Sequence, residues 1–111
     1  MTSTPQVLEL SNGDASAKID LVQTKKTAAI LRAVNHKLRQ TMLTLLNSNA
    51  KMTVTEIYVK LRIEQSVASQ HLAILRRANI VLTKREGKFI FYSVNYLRIT
   101  ELGGFMDEFL K

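Results

Sequence analysis

The sequence contains no cysteine, a single proline and no apolar run long enough to cross a membrane. Without thiols the chain has no disulfide, no thiolate metal site and no cysteine redox switch. A membrane-spanning helix needs about 18 consecutive apolar residues or more, so no membrane partner is expected. The N-terminus also lacks the apolar segment of a secretory signal, and we therefore expect a cytoplasmic protein.

Aromatic residues are also scarce, at 6% of the chain, whereas apolar residues make up 46% of its 111 residues. This composition suits a small, mainly helical core, and the length is sufficient for one domain but not for two. Residues 1–16 contain the only proline together with Ser, Asn, Gly and Asp. We predict a flexible tail over residues 1–16 and one domain over residues 17–111.

Acidic residues are few in the middle of the chain. Residues 18–98 contain 15 of the 16 Lys and Arg residues but only four of the nine acids, which gives a net charge of +11 for this segment. A concentrated positive charge suggests an anionic partner such as nucleic acid or a membrane surface. Charge alone does not choose between these partners.

Apolar residues with helical spacing occur in four successive segments, at about residues 17–34, 38–46, 53–61 and 65–79. Thr53 and Glu56 have the spacing of a capping box at the start of the third segment. Residues 80–85 and 88–94 are β-branched and aromatic, and Gly87 between them supplies the positive φ of a tight turn. A final helix is predicted over residues 96–110. The fold class is therefore mainly α with a small two-stranded antiparallel hairpin, in a winged helix-turn-helix arrangement.

The fourth helix, QSVASQHLAILRR at residues 65–77, has no acidic residue. Helical spacing places Val67, Ala68, His71, Leu72, Ile74 and Leu75 on one side, which we expect to pack into the domain. Gln, Ser and Ala on the other side suit base edges in a DNA major groove, and Arg suits the flanking phosphates. The alternative is an ordinary solvated surface. The candidate DNA contacts are Gln65, Ser66, Ser69, Gln70, Ala73, Arg76 and Arg77.

The hairpin has three basic residues, Lys84, Arg85 and Lys88, around its tip. A basic wing can contact the DNA backbone or the adjacent minor groove, and lysines on an edge strand also prevent aggregation, so both interpretations can hold together. His71 is interpreted as a mostly buried histidine that bonds to backbone rather than to DNA. His36 is the only other histidine, so a metal site at His71 is not expected.

Residues 63–94, IEQSVASQHLAILRRANIVLTKREGKFIFYSV, resemble the core of the ArsR/SmtB family of bacterial winged helix-turn-helix repressors. Residues 33–46, AVNHKLRQTMLTLL, resemble the second helix of this family and place Arg39 at its common arginine, which we add to the candidate DNA contacts. Two departures are Glu64 in place of an N-cap serine and Arg62 in place of a turn glycine. The matching positions of the recognition segment are Gln65, Ser66, Ser69, His71, Leu72, Leu75, Ala78 and Val81.

Some members of this family bind metal, and the resemblance allows their ligand positions to be checked. Thr53 and Thr55 stand where one group of members has cysteines. Another group uses Asp, His and later His/Glu ligands on the last helix, and these positions fall at Tyr96, Arg98 and Phe109, with the last one just beyond residue 111. None of these side chains is a usable ligand for a soft metal. The resemblance therefore implies no metal, and we expect no cofactor.

Members of the family are dimers that pair through their first and last helices, and the resemblance implies a homodimer. The chain also has more apolar surface on these helices than a monomer of its size needs. A two-fold axis would place two recognition helices on a pseudo-palindromic site. The candidate dimer contacts are Val22, Ile30, Phe105, Met106, Phe109 and Leu110.

The predicted function is a sequence-specific, homodimeric DNA-binding regulator that represses its own promoter. The alternative is a winged-helix module that binds another protein through its apolar last helix. An enzyme is not expected, because the sequence contains no nucleophile–base pair, acidic dyad or phosphate-binding loop. No group of polar residues identifies a small-molecule effector.

Overall fold

The computed structural model describes residues 6–111, which form two units, residues 6–32 and residues 33–111. The described part of the first unit begins with an antiparallel hairpin of β1 (Val7–Ser11) and β2 (Ser16–Asp20). Helix α1 (Leu21–Val34) follows directly and is capped by Asp20, whose carboxylate accepts hydrogen bonds from the Val22 and Gln23 amides at 2.9 and 3.1 Å.

The hairpin corrects two predictions. Residues 7–11 and 16 are strand rather than flexible tail, and the first helix starts at Leu21 rather than near residue 17. The rest of the predicted tail, residues 1–5, lies outside the described residues. In the loop of residues 12–15, the Asn12 side chain accepts hydrogen bonds from the Asp14 and Ala15 amides at 3.2 and 3.0 Å, and Gly13 has a φ of 94°. Leu8 lies opposite Ile19 and Leu10 opposite Ala17, so these four apolar residues share one face, while Val7 lies on the other face opposite Asp20.

The second unit confirms the predicted winged helix-turn-helix arrangement. Its three strands form an antiparallel sheet in the order β3-β5-β4, so the wing is joined by a short third strand that the sequence analysis did not predict. The predicted two-stranded hairpin is the β4–β5 part of this sheet. After the end of α1, the elements are α2 (Lys37–Asn49), β3 (Met52–Thr53), α3 (Val54–Leu61), α4 (Gln65–Arg77), β4 (Val81–Glu86), β5 (Phe89–Val94) and α5 (Tyr96–Phe109).

Local interactions at both ends of α3 define the helix-turn-helix. The Thr53 hydroxyl accepts from the Glu56 amide at 3.2 Å and the Glu56 carboxylate accepts from the Thr53 amide at 2.9 Å, which confirms the capping box. At the other end Arg62 has a left-handed conformation, with φ of 56°, and donates to the Val59 carbonyl. Glu64 then precedes α4 without a side-chain cap hydrogen bond. The chain thus turns from α3 into α4 within three residues.

The core of the second unit lies among α2, α3, α4 and the base of the wing. The apolar side of α4 contributes Ala68, Leu72 and Leu75, all with no exposed surface. Burying a Leu side chain is worth about 1.5–3 kcal/mol, so this side anchors the helix firmly. Met42, Leu46, Ile57 and Ile80 are fully buried as well. The opposite side of α4 is consequently directed outward.

The wing is a regular hairpin in which Arg85 lies opposite Ile90 and Glu86 opposite Phe89. Gly87 in its turn has a φ of 64°, as predicted. β3 adds to the other edge of β5, where Met52 lies opposite Tyr92. None of the helices in residues 6–111 combines the length and the apolar character that crossing a membrane requires.

Candidate nucleic-acid interface

The outward side of α4, here called the recognition face, has every side chain exposed. It matches the predicted division of the helix, since the apolar side is buried or half-buried throughout. No acidic residue lies anywhere in α4. A phosphate backbone would therefore meet only neutral and cationic groups on this helix. The residues of the recognition face are Gln65, Ser66, Ser69, Gln70, Ala73, Arg76 and Arg77.

Arg76 and Arg77 form the last turn of α4. Cations at this position interact favourably with the negative end of the helix dipole, so the two arginines also stabilise the helix end. Both side chains are exposed. Each side chain can therefore contact a phosphate while its charge still stabilises the end of the helix.

The wing presents the three predicted basic residues, and all are exposed. Arg85 folds back onto the turn, where its Nε donates to the Gly87 carbonyl at 3.1 Å. The Lys88 ammonium lies 5.4 Å from the centre of the Phe89 ring, within the distance of a cation–π contact. These contacts restrict the side chains at the tip, while Lys84 projects from the strand before it.

Glu86 is the one acid in the wing, and its charge is met by Lys51. The Lys51 Nζ donates to the Glu86 carboxylate at 2.5 Å, and this hydrogen bond holds the pKa of Glu86 below its usual value. The same ammonium lies 4.6 Å from the centre of the Phe91 ring. Lys51, the residue before β3, therefore contacts both strands of the wing and offsets the charge of Glu86.

Arg39 is not at the interface, so its inclusion among the DNA contacts was wrong. Its side chain is only 8% exposed. The guanidinium donates from Nε to the Ala33 carbonyl at 2.7 Å, and Nη1 lies 3.1 Å from Nδ1 of His71 in α4. Arg39 precedes the buried Met42 and Leu46 by three and seven residues, a spacing that places all three on one side of α2. This spacing is the sequence signal that could have identified Arg39 as a buried residue.

His71 was expected to bond to backbone, but its partner is the Arg39 side chain. The ring is half-buried, and its centroid lies 4.7 Å from that of His36. His36 caps α2, where its Nδ1 accepts from the Leu38 amide at 3.2 Å. Burial lowers the pKa of His71 from its usual 6.5, and the charges of His36 and Arg39 lower it further. The neutral imidazole is thus the favoured form.

The two histidines do not belong to a larger metal cluster. Within residues 6–111, no group of three or more His, Cys, Asp or Glu side chains comes together. Thr53 and Thr55, at one of the family's metal positions, line an open groove of about 680 Å³ between the start of α3 and β5. Phe89 and Ile90, each about half exposed, form much of its apolar wall. Hydroxyl and apolar groups are poor ligands for soft metals, and the one carboxylate of the lining, Glu56, accepts hydrogen bonds from the Thr53 amide and hydroxyl.

Helix α5 has no buried residue, although apolar side chains are numerous along it. Phe109 and Leu110 at its end are 74% and 76% exposed, and Phe105 stacks on Phe109 with ring centroids 5.7 Å apart. Met106 is 37% exposed. In α1, Val22 is exposed and Ile30 is half-buried. Within residues 6–111, the predicted dimer residues of α5 thus form a surface that the rest of the chain leaves exposed.

A helix-turn-helix with an acid-free exposed helix and a basic wing defines a winged-helix DNA-binding protein, and comparisons with known proteins agree. The model of bacterial regulatory proteins of the arsR family matches residues 36–83. An uncharacterized HTH-type transcriptional regulator of Methanocaldococcus jannaschii is 36% identical over 84 residues, or 76% of this chain and 94% of that protein. The transcriptional repressor PagR of Bacillus anthracis is 31% identical over 78 residues, or 70% and 78% of the two chains. The crystal structure of PagR matches with a TM-score of 0.59 and 29% identity, over 68% of this chain and 86% of that one.

The chain belongs to the arsR family of regulatory proteins. It is a DNA-binding transcriptional regulator, and regulators of this family are not enzymes. This confirms the predicted family and general function, and favours DNA binding over the protein-interaction alternative. The individual DNA contacts and the dimer remain predictions.

Proposed function

We propose that the chain is a homodimeric transcriptional repressor that acts in the cytoplasm on a pseudo-palindromic operator. The recognition face enters the major groove, and the wing contacts the adjacent backbone. The observation that carries this proposal is the recognition face itself, in which seven residues are exposed and none is acidic. The buried side of α4 leaves this face no other direction than outward.

Two groups of residues have different roles in this proposal. Neutral side chains on the first turns of α4 contact base edges, because Gln and Ser donate and accept hydrogen bonds there. Cationic side chains contact phosphates and supply affinity without sequence preference. The base contacts are Gln65, Ser66, Ser69, Gln70 and Ala73, and the phosphate contacts are Arg76, Arg77, Lys84, Arg85 and Lys88. Arg39 is left out because it is buried.

The end of α5 supports the homodimer. Phe105, Met106 and Phe109 occur at spacings that keep them on one side of the helix, and all three are substantially exposed. We propose that this side, with Val22 and Ile30 of α1, packs against a second copy. A two-fold dimer would present two recognition helices about one turn of DNA apart. PagR, a relative, is named as a repressor, which favours repression here.

The proposal is tested by selecting operator fragments from random DNA and measuring affinity for the selected sequence. Replacing Ser69 and Gln70 together by Ala removes polar groups that read bases. Each lost contact costs about 1–3 kcal/mol, so we expect specific binding to weaken about a hundredfold. Binding to scrambled DNA should change little. Fluorescence anisotropy with both duplexes measures the two affinities.

The matched control replaces Thr44 and Ser48 by Ala in α2. Both are exposed, and their hydroxyls bond only to carbonyls of their own helix in the hydrogen bonds seen here. The control should bind the operator like the wild type. If the Ser69 and Gln70 double variant kept full preference for the selected sequence, α4 would not be the element that recognises it.

A further inference from the structure

Arg39 connects three helical segments. From α2 it donates to the carbonyl of Ala33 in the last turn of α1 at 2.7 Å, and its Nη1 reaches Nδ1 of His71 in α4 at 3.1 Å. Ala33 is 1% exposed and Arg39 is 8% exposed. A guanidinium has donors only, so Nδ1 of His71 must be the acceptor and the ring proton is on Nε2. The contact therefore exists only while His71 is neutral.

We propose that Arg39 is a positioning residue for DNA recognition, which holds α4 in its binding orientation through the neutral imidazole of His71. This inference rests on the proposed role of the recognition face. His71 lies between Gln70 and Ala73 of that face in sequence and points to the opposite side of α4. A displacement of α4 at His71 would therefore also displace Gln70 and Ala73, which face the DNA in the proposed complex.

Protonation of His71 would remove the acceptor and place a second cation 3.1 Å from the guanidinium. The elements packed on α4 are α2, α3 and β4. α2 and its cap supply the charged groups that act on His71, namely Arg39 and His36. The titratable groups of α3 and β4 are not among the causes of the pKa shift; they are Glu56, Tyr58, Lys60, Lys84, Arg85 and Glu86.

The sign of the pH effect follows from these neighbours. Burial, His36 and Arg39 all lower the pKa of His71 below 6.5. The unfolded chain therefore takes up this proton more readily than the folded chain. The stabilising contact is fully present above pH 6.5 and is lost as the pH falls through the lowered pKa. Protonation also adds positive charge, which by itself strengthens non-specific DNA binding. Specific and non-specific affinity should therefore respond in opposite directions.

The experiment measures a specificity ratio, the dissociation constant for scrambled DNA divided by that for the selected operator, from about pH 5 to about pH 8 at constant ionic strength. For the wild type we expect this ratio to fall about tenfold on acidification below pH 6.5. Arg39→Met should have a low ratio at every pH. A stability measurement on each variant shows whether it is folded.

Two further variants separate positioning from a general structural role. His71→Asn places an acceptor oxygen close to the Nδ1 position and takes up no proton in this range, so it should keep the neutral-pH ratio and lose the pH dependence. His36→Asn retains a good N-cap but removes one neighbouring base. Because the charge of His36 lowers the pKa of His71, this variant should move the decline to higher pH.

The outcomes are distinct. A flat wild-type ratio, or a His71→Asn variant with the wild-type pH dependence, would overturn the positioning role of Arg39. Absence of any preference for an operator at neutral pH would instead overturn the proposed function. In that case NMR titration of the imidazole without DNA still tests the contact, because Arg39→Met should raise the pKa of His71 toward 6.5. No change in that pKa would contradict the proposal.

Discussion

Gly87 and Gly104 differ in whether their backbone conformation requires glycine. Gly87, in the wing turn, has a φ of 64°, a conformation that costs other residues about 1–2 kcal/mol. Gly104 lies within α5, where a Cβ would meet nothing within 4 Å. In a helix interior glycine is about 1 kcal/mol less favourable than alanine. The chain thus uses one glycine for its turn and tolerates the other in a helix.

We therefore expect Gly104→Ala to raise the free energy of unfolding by about 0.5–1 kcal/mol, because alanine restricts the unfolded chain and favours the helix. Gly87→Ala should lower it by about 1 kcal/mol. Urea denaturation of both variants measures the difference, and each serves as the control for the other. A loss of stability in Gly104→Ala would show that the space beside this glycine is needed.

Arg39 and His71 show the limit of residue-by-residue prediction. The resemblance assigned Arg39 to DNA, and His71 was expected to find a backbone partner. Both assignments depend on what lies across the core from each side chain, 32 residues apart in sequence. Helical periodicity was used to assign an inward side only in α4, where it placed His71 on that side; the same spacing in α2 marks Arg39 as inward, but periodicity does not identify which two inward residues meet.

At the scale of secondary-structure elements, α4 and the wing were predicted from the sequence, whereas β3 and the first hairpin were not. The recognition face followed directly from helical periodicity, since a helix with one apolar side has only one way to bury it. The β4–β5 hairpin followed from its turn glycine and β-branched strands. β3 was not predicted, because two residues carry no periodicity and its pairing with β5 is a long-range contact. The hairpin of β1 and β2 was missed although Asn12 and Gly13 signalled its turn.

The wing carries the prediction that belongs to this scale. Lys84→Ala or Arg85→Ala should weaken binding to operator and scrambled DNA alike, because each removes one phosphate contact. The slope of log affinity against log salt should decrease by about one unit for each variant. Titrations at several salt concentrations measure this slope.

Lys111→Ala is the matched control for the wing. Lys111 lies outside the basic segment and pairs with Glu108 at 3.1 Å. The Lys111→Ala variant should leave the slope of log affinity against log salt unchanged. An equal decrease for all three variants would mean that net charge, rather than the wing, determines the effect.

At the scale of the whole molecule, the exposed apolar side of α5 bears on assembly. Apolar residues of α5 from Leu102 to Phe109 share one side of the helix, and Phe109 at its end is the most exposed of them. Exposed apolar patches of this kind mark interaction surfaces. A second copy of the chain would cover them and would create the two-fold symmetry that a pseudo-palindromic operator requires.

Phe109→Glu should therefore convert the dimer to a monomer and weaken operator binding, because a charge would be buried at the interface. Leu97→Glu is the control. Leu97 is 73% exposed on the same helix but points about 120° away from Phe109 around the helix axis. Sedimentation velocity of both variants measures the assembly state. A Phe109→Glu variant that remains dimeric would exclude the end of α5 from the interface.

The sequence by itself determined the winged helix arrangement and the two sides of α4, because these depend on local periodicity, turn residues and charge along the chain. The family followed from the resemblance of residues 63–94. Only the tertiary structure decided that Arg39 is buried against His71, that Lys51 offsets the charge of Glu86 and that β3 joins the wing. These are contacts between residues about 30 to 40 positions apart. Their existence depends on how helices and strands pack in space, which local patterns do not specify.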